Sequence, residues 1–191
     1  MTLTTILPTL RRSIPDPLEQ RSWPEHTHAT TTDVIVSGVS LLRLVDICDP
    51  PCVHTGDAFV PETSRRPLSS RDAAVVVARI TAVIDTGESV RVVLVDGCLD
   101  TVTAIWEETR LIGRASTARP SRTVVLSGDS HRSTHPAPSL ASLPDDLVVG
   151  DLLAIPCAGM VTLHDLRSAA LEPVAEPERD AVRDTLVGSG R

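Results

Sequence analysis

The stretch ICDPPCVHTGD, residues 47–57, concentrates the residue types in this chain that are best able to do chemistry. Cys48, Cys52 and His54 fall within seven positions of one another. Cysteine thiolates and histidine imidazoles are common zinc ligands, and a gap of three residues between the cysteines is within the usual spacing. These residues are therefore candidate zinc ligands. A structural zinc site needs a fourth ligand, for which the sequence offers Cys98, Cys157, His131, His135 and His164.

The same stretch has two further interpretations. Pro50 and Pro51 stiffen the chain between the two cysteines, which favours a structure-setting turn with inert thiols. We prefer this interpretation, because a single C-x3-C-x-H pattern without a second cysteine pair is weak evidence for zinc, and cysteines in apolar contexts commonly act as small hydrophobic residues. A nucleophilic Cys52 activated by His54 is the third interpretation, and it requires an extended backbone that puts both side chains on one face.

Two other groups of polar residues resemble catalytic sets only in composition. The loop predicted over 128–146 contains the residue types of a hydrolase triad, but it lacks the strained G-x-S-x-G turn that presents a serine nucleophile. Glu107 and Glu108 are adjacent, so on a strand they would point to opposite faces. We therefore predict no catalytic residue in either group. The triad residue types in that loop are Asp129, Ser130, His131 and His135.

The absence of lysine and tyrosine excludes several kinds of enzyme. All 18 basic residues are arginine, and the chain contains no tyrosine. Phosphate-loop NTPases and kinase-like enzymes depend on a lysine that contacts phosphate, and pyridoxal-phosphate enzymes depend on a Schiff-base lysine. None of these mechanisms is open to this chain.

Charge and hydropathy argue against nucleic-acid and membrane partners. The formal net charge of −7 opposes attraction to DNA or RNA, although Arg114, Arg119 and Arg122 form the best local basic patch. Aromatic residues make up 2% of the chain, which leaves few platforms for base stacking. No stretch approaches the length of a membrane-spanning helix, and the start lacks the order of a secretory signal. We expect a cytoplasmic protein, or part of a particle assembled there, with reduced thiols.

The apolar residues predict a mostly β fold, either an antiparallel barrel or a sandwich. Two valine-rich runs flank a glycine-containing turn at 85–88, which predicts an antiparallel hairpin. Further strands are predicted at 34–36, 101–106 and 122–127, and two last strands around Pro156 and Gly159 at an edge of the sheet. Residues 41–48 fit a short helix capped by Ser40, although a strand fits almost as well.

Three regions follow from this pattern. Residues 1–32 contain four prolines, which rules out a continuous helix and predicts an extended arm lying across another surface. Residues 33–170 form the β-rich core. Residues 171–191 form a short C-terminal helix and a tail.

The leading functional hypothesis is a non-enzymatic assembly or interaction protein without a cofactor. It would associate with copies of itself or with other protein subunits, and a component of a virus-like or tail-like particle fits this outline. The first alternative is a small zinc-dependent hydrolase in which Cys48, Cys52 and His54 hold the metal. The second alternative is a nucleic-acid-binding protein with an OB-like barrel.

Overall fold

The computed structural model describes residues 2–60, 72–87, 90–127 and 139–167. Three α-helices lie in these ranges: α1 (Leu3–Ile6), α2 (Leu41–Cys48) and α3 (Leu163–Leu166). The strands before the gap at 61–71 are β1 (Thr27–Ala29), β2 (Val34–Val36), β3 (Val39–Ser40) and β4 (Cys52–Asp57). The later strands are β5 (Asp72–Asp85), β6 (Val90–Val95), β7 (Thr103–Ala104), β8 (Arg110–Ile112), β9 (Pro120–Ser127), β10 (Leu140–Pro144) and β11 (Leu152–Ala158).

The predicted mostly β fold class is confirmed. The larger sheet has the strand order β10-β9-β6-β5-β11-β7, with β4 also paired to β5 and β8 also paired to β11. It curls into a half barrel. Strands β6 and β9 are parallel, and every other pairing recorded within the described residues is antiparallel. A smaller sheet has the order β1-β2-β3.

Strand β5 connects the two halves of the larger sheet. Its first half pairs with β4 on one side and β11 on the other, and its second half pairs with β6. The run AAVVVA at 73–78 is buried on both faces, which explains why it is continuously apolar. The predicted hairpin between β5 and β6 is confirmed, with Ile84 opposite Val92.

Alternate residues of β5 belong to two hydrophobic clusters. The main core fills the half barrel and includes Ala74, Val76 and Ala78 of β5. The second cluster includes Val75 and Val77 on the opposite face. Its other buried members come mainly from the N-terminal third of the chain: Trp23, Val34, Val36, Leu41, Cys52, Ile112 and Ala154. Trp23, β2 and α2 therefore pack on the face of the large sheet opposite the main core.

Helix α2 begins where the sequence predicts. The Ser40 hydroxyl accepts a hydrogen bond from the backbone N–H of Arg43, which satisfies a donor at the first turn. The carboxylate of Asp33 in turn accepts from the Ser40 hydroxyl and from the backbone N–H of Leu42. This local network joins the helix to the start of β2, and the strand alternative for residues 41–48 is wrong.

The predicted pair of edge strands around Pro156 and Gly159 is wrong. A single strand, β11, covers Leu152–Ala158, and it has partners on both sides. Residues 159–162 leave the sheet, and α3 follows them. Proline suggested an edge because it cannot donate a ladder hydrogen bond. Pro156, however, lies between the residues that pair with β8 and those that pair with β7, so no ladder bond is lost there.

The N-terminal region is folded onto its own core rather than extended. Prolines do prevent a continuous helix, as predicted, but α1 is followed by short 3-10 turns at Pro8–Arg12 and Gln20–Ser22 and by strand β1. The predicted strand at 101–106 is reduced to β7, and a 3-10 turn occupies Trp106–Glu108. The predicted C-terminal helix and most of the loop at 128–146 lie outside the described residues.

Candidate functional site

The three candidate zinc ligands lie on two consecutive elements and differ in exposure. Cys48 is the exposed last residue of α2, whereas Cys52 is buried at the start of β4. Between them the backbone turns at Asp49, which has a φ of 56°, and at the cis bond between Pro50 and Pro51. His54 follows on β4 and is half-buried. The stretch is therefore a stiff turn between a helix and a strand.

Among the described residues, no three histidine, cysteine or acidic side chains come together as a group that could hold a metal. Cys157 is buried in the main core, Cys98 is partly buried, and His164 lies on α3. The other two candidate ligands, His131 and His135, lie outside the described residues. The zinc site stays a prediction.

The buried thiols are poorly suited to nucleophilic chemistry. Burial, together with the neighbouring Cys48 and the carboxylates of Asp96 and Asp49, raises the pKa of Cys52 to about 11. Burial likewise raises the pKa of Cys157 to about 12. At these pKa values both cysteines are almost entirely protonated at neutral pH. Little thiolate, the reactive form, is therefore present. This supports the interpretation of inert thiols over a Cys52–His54 nucleophile.

Glu108, one of the two adjacent acidic residues of the sequence, has an anchoring role that the sequence patterns did not indicate. It lies in the 3-10 turn Trp106–Glu108, where one oxygen, Oε2, accepts three hydrogen bonds. The donors are the indole Nε1 of Trp23 at 3.1 Å, the backbone N–H of Glu19 at 3.1 Å and the guanidinium of Arg110 at 3.2 Å. Its neighbour Glu107 is exposed. Of the two adjacent acidic residues, only Glu108 therefore anchors other parts of the chain.

Through Glu108 and several other contacts, the N-terminal segment, residues 2–29, is fastened to the core. Trp23 is 1% exposed within the second cluster. Pro24 and Ala58 form an antiparallel bridge. The guanidinium of Arg11 donates to the carbonyl of Ala118 at 3.0 Å, and that of Arg110 donates to the carbonyl of Pro17. These contacts join residues about a hundred positions apart.

A polar cleft of about 260 Å³ lies between the N-terminal segment and the core. One wall comes from the segment and β1–β2, and the other from residues 107–120 and 142–144. Hydroxyl and charged side chains predominate in the lining: Thr2, Thr5, Arg11, Asp16, Thr30, Thr31, Asp33, Glu107, Glu108, Thr109, Arg110, Arg114, Ser116 and Ser142. No aromatic side chain is among the lining residues. This cleft is the candidate functional site.

Two polar atoms of the cleft residues are buried without a hydrogen-bond partner among the described residues. They are the hydroxyl Oγ1 of Thr109, which is 3% exposed, and Nε of Arg11. The Arg11 Nε lies 3.0 Å from Oδ2 of Asp16, so it has an ion pair, but not one with the geometry of a hydrogen bond. Buried polar groups are normally hydrogen-bonded, and exceptions often mark functional sites.

Arg114 holds one end of the cleft rigid. Its guanidinium donates two hydrogen bonds of 2.8 Å to the carboxylate of Asp151 and one of 3.1 Å to Asp146. The pKa of Arg114 is raised, chiefly by the hydrogen bonds that it donates to Asp151. Burial opposes ionisation of Asp146, but hydrogen bonds from Ser116 and Arg114 outweigh it and lower the pKa of that carboxyl. Because two carboxylates neutralise Arg114, the basic patch expected from Arg114, Arg119 and Arg122 is weakened at its first member.

Helix α1 shows an inverted pattern of burial. Thr4 is 2% exposed, whereas Leu3, Ile6 and Leu7 are 68%, 61% and 53% exposed. Leu3 and Ile6 of the helix, spaced i and i+3, together with Leu7 directly after it, define the α1 face. An amphipathic helix on a protein surface normally turns such a stripe toward the core. The α1 face is left uncovered by the described residues of this chain.

Comparison with protein families finds no family model that matches the chain, and comparison with curated proteins finds no similar sequence. Among the described residues, no helix has the length and apolar character needed to cross a membrane. Function therefore has to be argued from the geometry of the molecule alone.

Proposed function

We propose that this protein is a non-enzymatic assembly protein that associates with a second copy of itself through the α1 face. The observation that carries the proposal is the inverted burial of α1, in which a threonine faces the core and three large apolar side chains face solvent. Contiguous exposed apolar surface rimmed by polar residues is typical of protein interaction sites. Covering one such side chain stabilises a complex by about 1.5–3 kcal/mol when its burial is complete.

A second copy is the occupant that best suits so short a helix. The helix has four residues, so it contributes little area by itself. In a two-fold dimer the same patch contributes twice, and symmetric pairs are the commonest oligomers of soluble proteins. Ile14, seven residues after Leu7, is a further apolar residue of the N-terminal segment and is 47% exposed. The interface would then combine two copies of this surface.

The chemistry of the described residues supports a non-enzymatic role. The buried cysteines carry raised pKa values, and Arg114 is fully engaged with two carboxylates. Two of the three aromatic side chains that an OB-like nucleic-acid site would need for stacking are also engaged, and the third, Phe59, is half-buried. Trp23 is buried, and Trp106 packs against the main core. No specific observation favours either the zinc hydrolase or the nucleic-acid-binding alternative.

Native mass spectrometry of the full chain, purified without chelator, tests the proposal. We expect a metal-free dimer for the wild-type protein and a monomer for the double variant Leu3→Asp/Ile6→Asp. Val148→Asp is the matched control, because Val148 is 56% exposed but belongs to the turn at 148–151 rather than to the α1 face. This control should remain dimeric.

Three results would contradict the proposal. A wild-type monomer would rule out self-association, and a dimer that survives both substitutions would place the interface elsewhere. A monomer that carries zinc, and that loses it in Cys52→Ser, would support the hydrolase alternative instead. Circular dichroism of each variant establishes that the substitutions leave the fold intact.

A further inference from the structure

We propose that the polar cleft binds a small zwitterion of the amino-acid type, carrying one carboxylate and one ammonium group. This inference is independent of self-association. The cleft volume of about 260 Å³ is just below the usual range for drug-sized ligands, which favours a small molecule. Its mainly polar lining excludes a ligand that binds by apolar contact. A ligand must therefore be both small and strongly polar.

The cleft presents fixed charges of both signs. Arginine supplies the cations, at Arg11, Arg110 and Arg114, whereas acidic residues supply the anions, at Asp16, Asp33, Glu107 and Glu108. A simple anion would lie close to four carboxylates, and a simple cation would lie close to three guanidinium groups. A ligand that carries one charge of each sign can place each charge beside a group of opposite sign, which reduces the repulsion that a single charge would meet.

Internal hydrogen bonds leave part of this charge available. Arg110 uses one terminal nitrogen for both Pro17 and Glu108, so its Nε and its other terminal nitrogen have no recorded partner in the described ranges. Glu108 accepts its three hydrogen bonds at Oε2, which leaves Oε1 without one. A carboxylate fits the planar fork of Arg110, and an ammonium group fits the unused oxygen of Glu108.

The hydroxyl of Thr109 is a second, independent indication of a ligand. The residue lines the cleft and lies between Glu108 and Arg110. It is only 3% exposed, yet its Oγ1 has no hydrogen-bond partner among the described residues. Leaving a buried hydroxyl unpaired costs about 1–3 kcal/mol. After a small shift of the Thr109 side chain, a ligand carboxylate held by Arg110 would accept a hydrogen bond from this hydroxyl, which would remove that cost.

A sugar is a less suitable ligand. Carbohydrates also bind to arrays of hydroxyl and carboxylate groups, but their apolar ring faces pack against aromatic side chains. None of the residues lining the cleft is aromatic. The combination of paired charges, hydroxyl groups and small volume therefore favours the zwitterion.

The test uses the full chain and each of the twenty common amino acids as a separate probe. Thermal unfolding identifies the amino acid that raises the melting temperature, and isothermal titration calorimetry then measures its Kd. The N-acetyl derivative of that amino acid keeps only the carboxylate, and its amide keeps only the ammonium group. We expect each derivative to bind at least about tenfold more weakly than the parent, because each loses one charged contact.

Thr109→Val and Thr123→Val form a matched pair of variants. Both threonines are buried and have an unpaired hydroxyl, but Thr123 lies in β9 and does not line the cleft. Loss of one hydrogen bond should weaken binding about five- to tenfold in Thr109→Val. Thr123→Val should bind like the wild-type protein.

Each remaining outcome overturns the proposal. If no amino acid binds at millimolar concentration, the cleft has no such ligand. If the acetylated or amidated derivative binds as tightly as the parent, the site recognises a single charge rather than a zwitterion. If Thr109→Val and Thr123→Val bind equally well, the amino acid occupies a different site.

Discussion

Removing the carboxylate of Glu108 should partly release the N-terminal segment from the core. In Glu108→Ala, the indole N–H of Trp23 loses its acceptor while the ring stays in a site that is 1% exposed. An unsatisfied buried donor costs about 1–3 kcal/mol. The other two donors lose less, because the backbone N–H of Glu19 belongs to an exposed residue and Arg110 still donates to Pro17.

We therefore expect Glu108→Ala to lower the free energy of unfolding by about 2–3 kcal/mol, most of it from the Trp23 indole. Urea unfolding followed by circular dichroism measures this change. Tryptophan fluorescence gives a separate measurement, because a Trp23 ring that becomes solvated emits at longer wavelength. Glu107→Ala is the matched control, since Glu107 is adjacent and exposed. A surface substitution of this kind stays within about 0.5 kcal/mol.

A double-mutant cycle with Trp23→Phe separates the hydrogen bond from packing. Phenylalanine keeps most of the apolar ring in the second cluster but has no N–H group. In that background Glu108→Ala should cost about 1–2 kcal/mol less than in the wild-type protein, because the two residues are coupled. The anchoring role of Glu108 is refuted if Glu108→Ala and Glu107→Ala are equally stable. It is also refuted if the cycle shows no coupling.

Further perturbations test backbone strain, a buried hydroxyl and a carboxylate. Thr123→Val should raise the free energy of unfolding by about 1 kcal/mol, since it removes an unpaired buried hydroxyl without changing the side-chain shape; a lower urea midpoint would contradict this. Gly97 has a φ of 94°, and an added Cβ would lie 3.1 Å from Cβ of Pro51, so Gly97→Ala should cost about 2–3 kcal/mol. Gly87→Ala, with a φ of 73° and open space, should cost only the backbone strain of about 1 kcal/mol. Because the pKa of Asp146 is lowered on folding, its contribution is complete above the ordinary carboxyl pKa of about 3.9 and is lost as the pH falls through the lower folded value. Urea midpoints measured down through this range should therefore decline less in Asp146→Asn than in the wild-type protein.

The parts of the fold that sequence patterns predicted are those governed by local physics. The valine-rich runs of β5 and β6 flank a glycine-containing turn, and β-branched side chains favour strands. Ser40 predicted the start of α2 through the hydrogen bond it accepts from Arg43. The turn at Pro50 and Pro51 was likewise expected from the stiffness of proline.

The parts that sequence patterns missed depend on partners distant in the chain. Pro156 suggested an edge strand, yet its carbonyl accepts a hydrogen bond from the backbone N–H of Ile105 at 2.8 Å. In an extended strand the N–H and C=O of one residue point to the same side. The side of Pro156 that lacks an N–H donor thus faces the interval between β8 and β7. Neither strand therefore loses a ladder hydrogen bond. No pattern within residues 147–166 contains this information.

The candidate cleft was missed for the same reason. Its charged residues appeared as separate, ordinary features: an arginine near prolines, an adjacent acid pair and an arginine-containing loop. The contact between Trp23 and Glu108 joins positions 85 residues apart, and it is this contact that brings the two walls together. Proline density predicted that the N-terminal segment lies on a surface. It contained no information about which surface that is.

The two proposals meet in helix α1, and this leads to a last prediction. Thr2 and Thr5 line the cleft on one side of the helix, whereas the α1 face of Leu3, Ile6 and Leu7 is exposed on the other. A ligand that orders this short helix also orders the α1 face, so ligand binding and dimerisation should strengthen each other by the same factor. Native mass spectra recorded with and without the amino acid that binds should therefore show a higher dimer fraction in its presence.

Two variants separate this coupling from independent binding. Leu3→Asp/Ile6→Asp should abolish dimerisation and reduce affinity for the amino acid only by the coupling factor, since neither side chain lines the cleft. Glu108→Ala should weaken both, because it removes the anchor of the whole segment and a carboxylate of the cleft together. If the amino acid binds but leaves the dimer fraction unchanged, α1 does not connect the two sites. Self-association and ligand binding would then be independent properties, each tested by its own experiment.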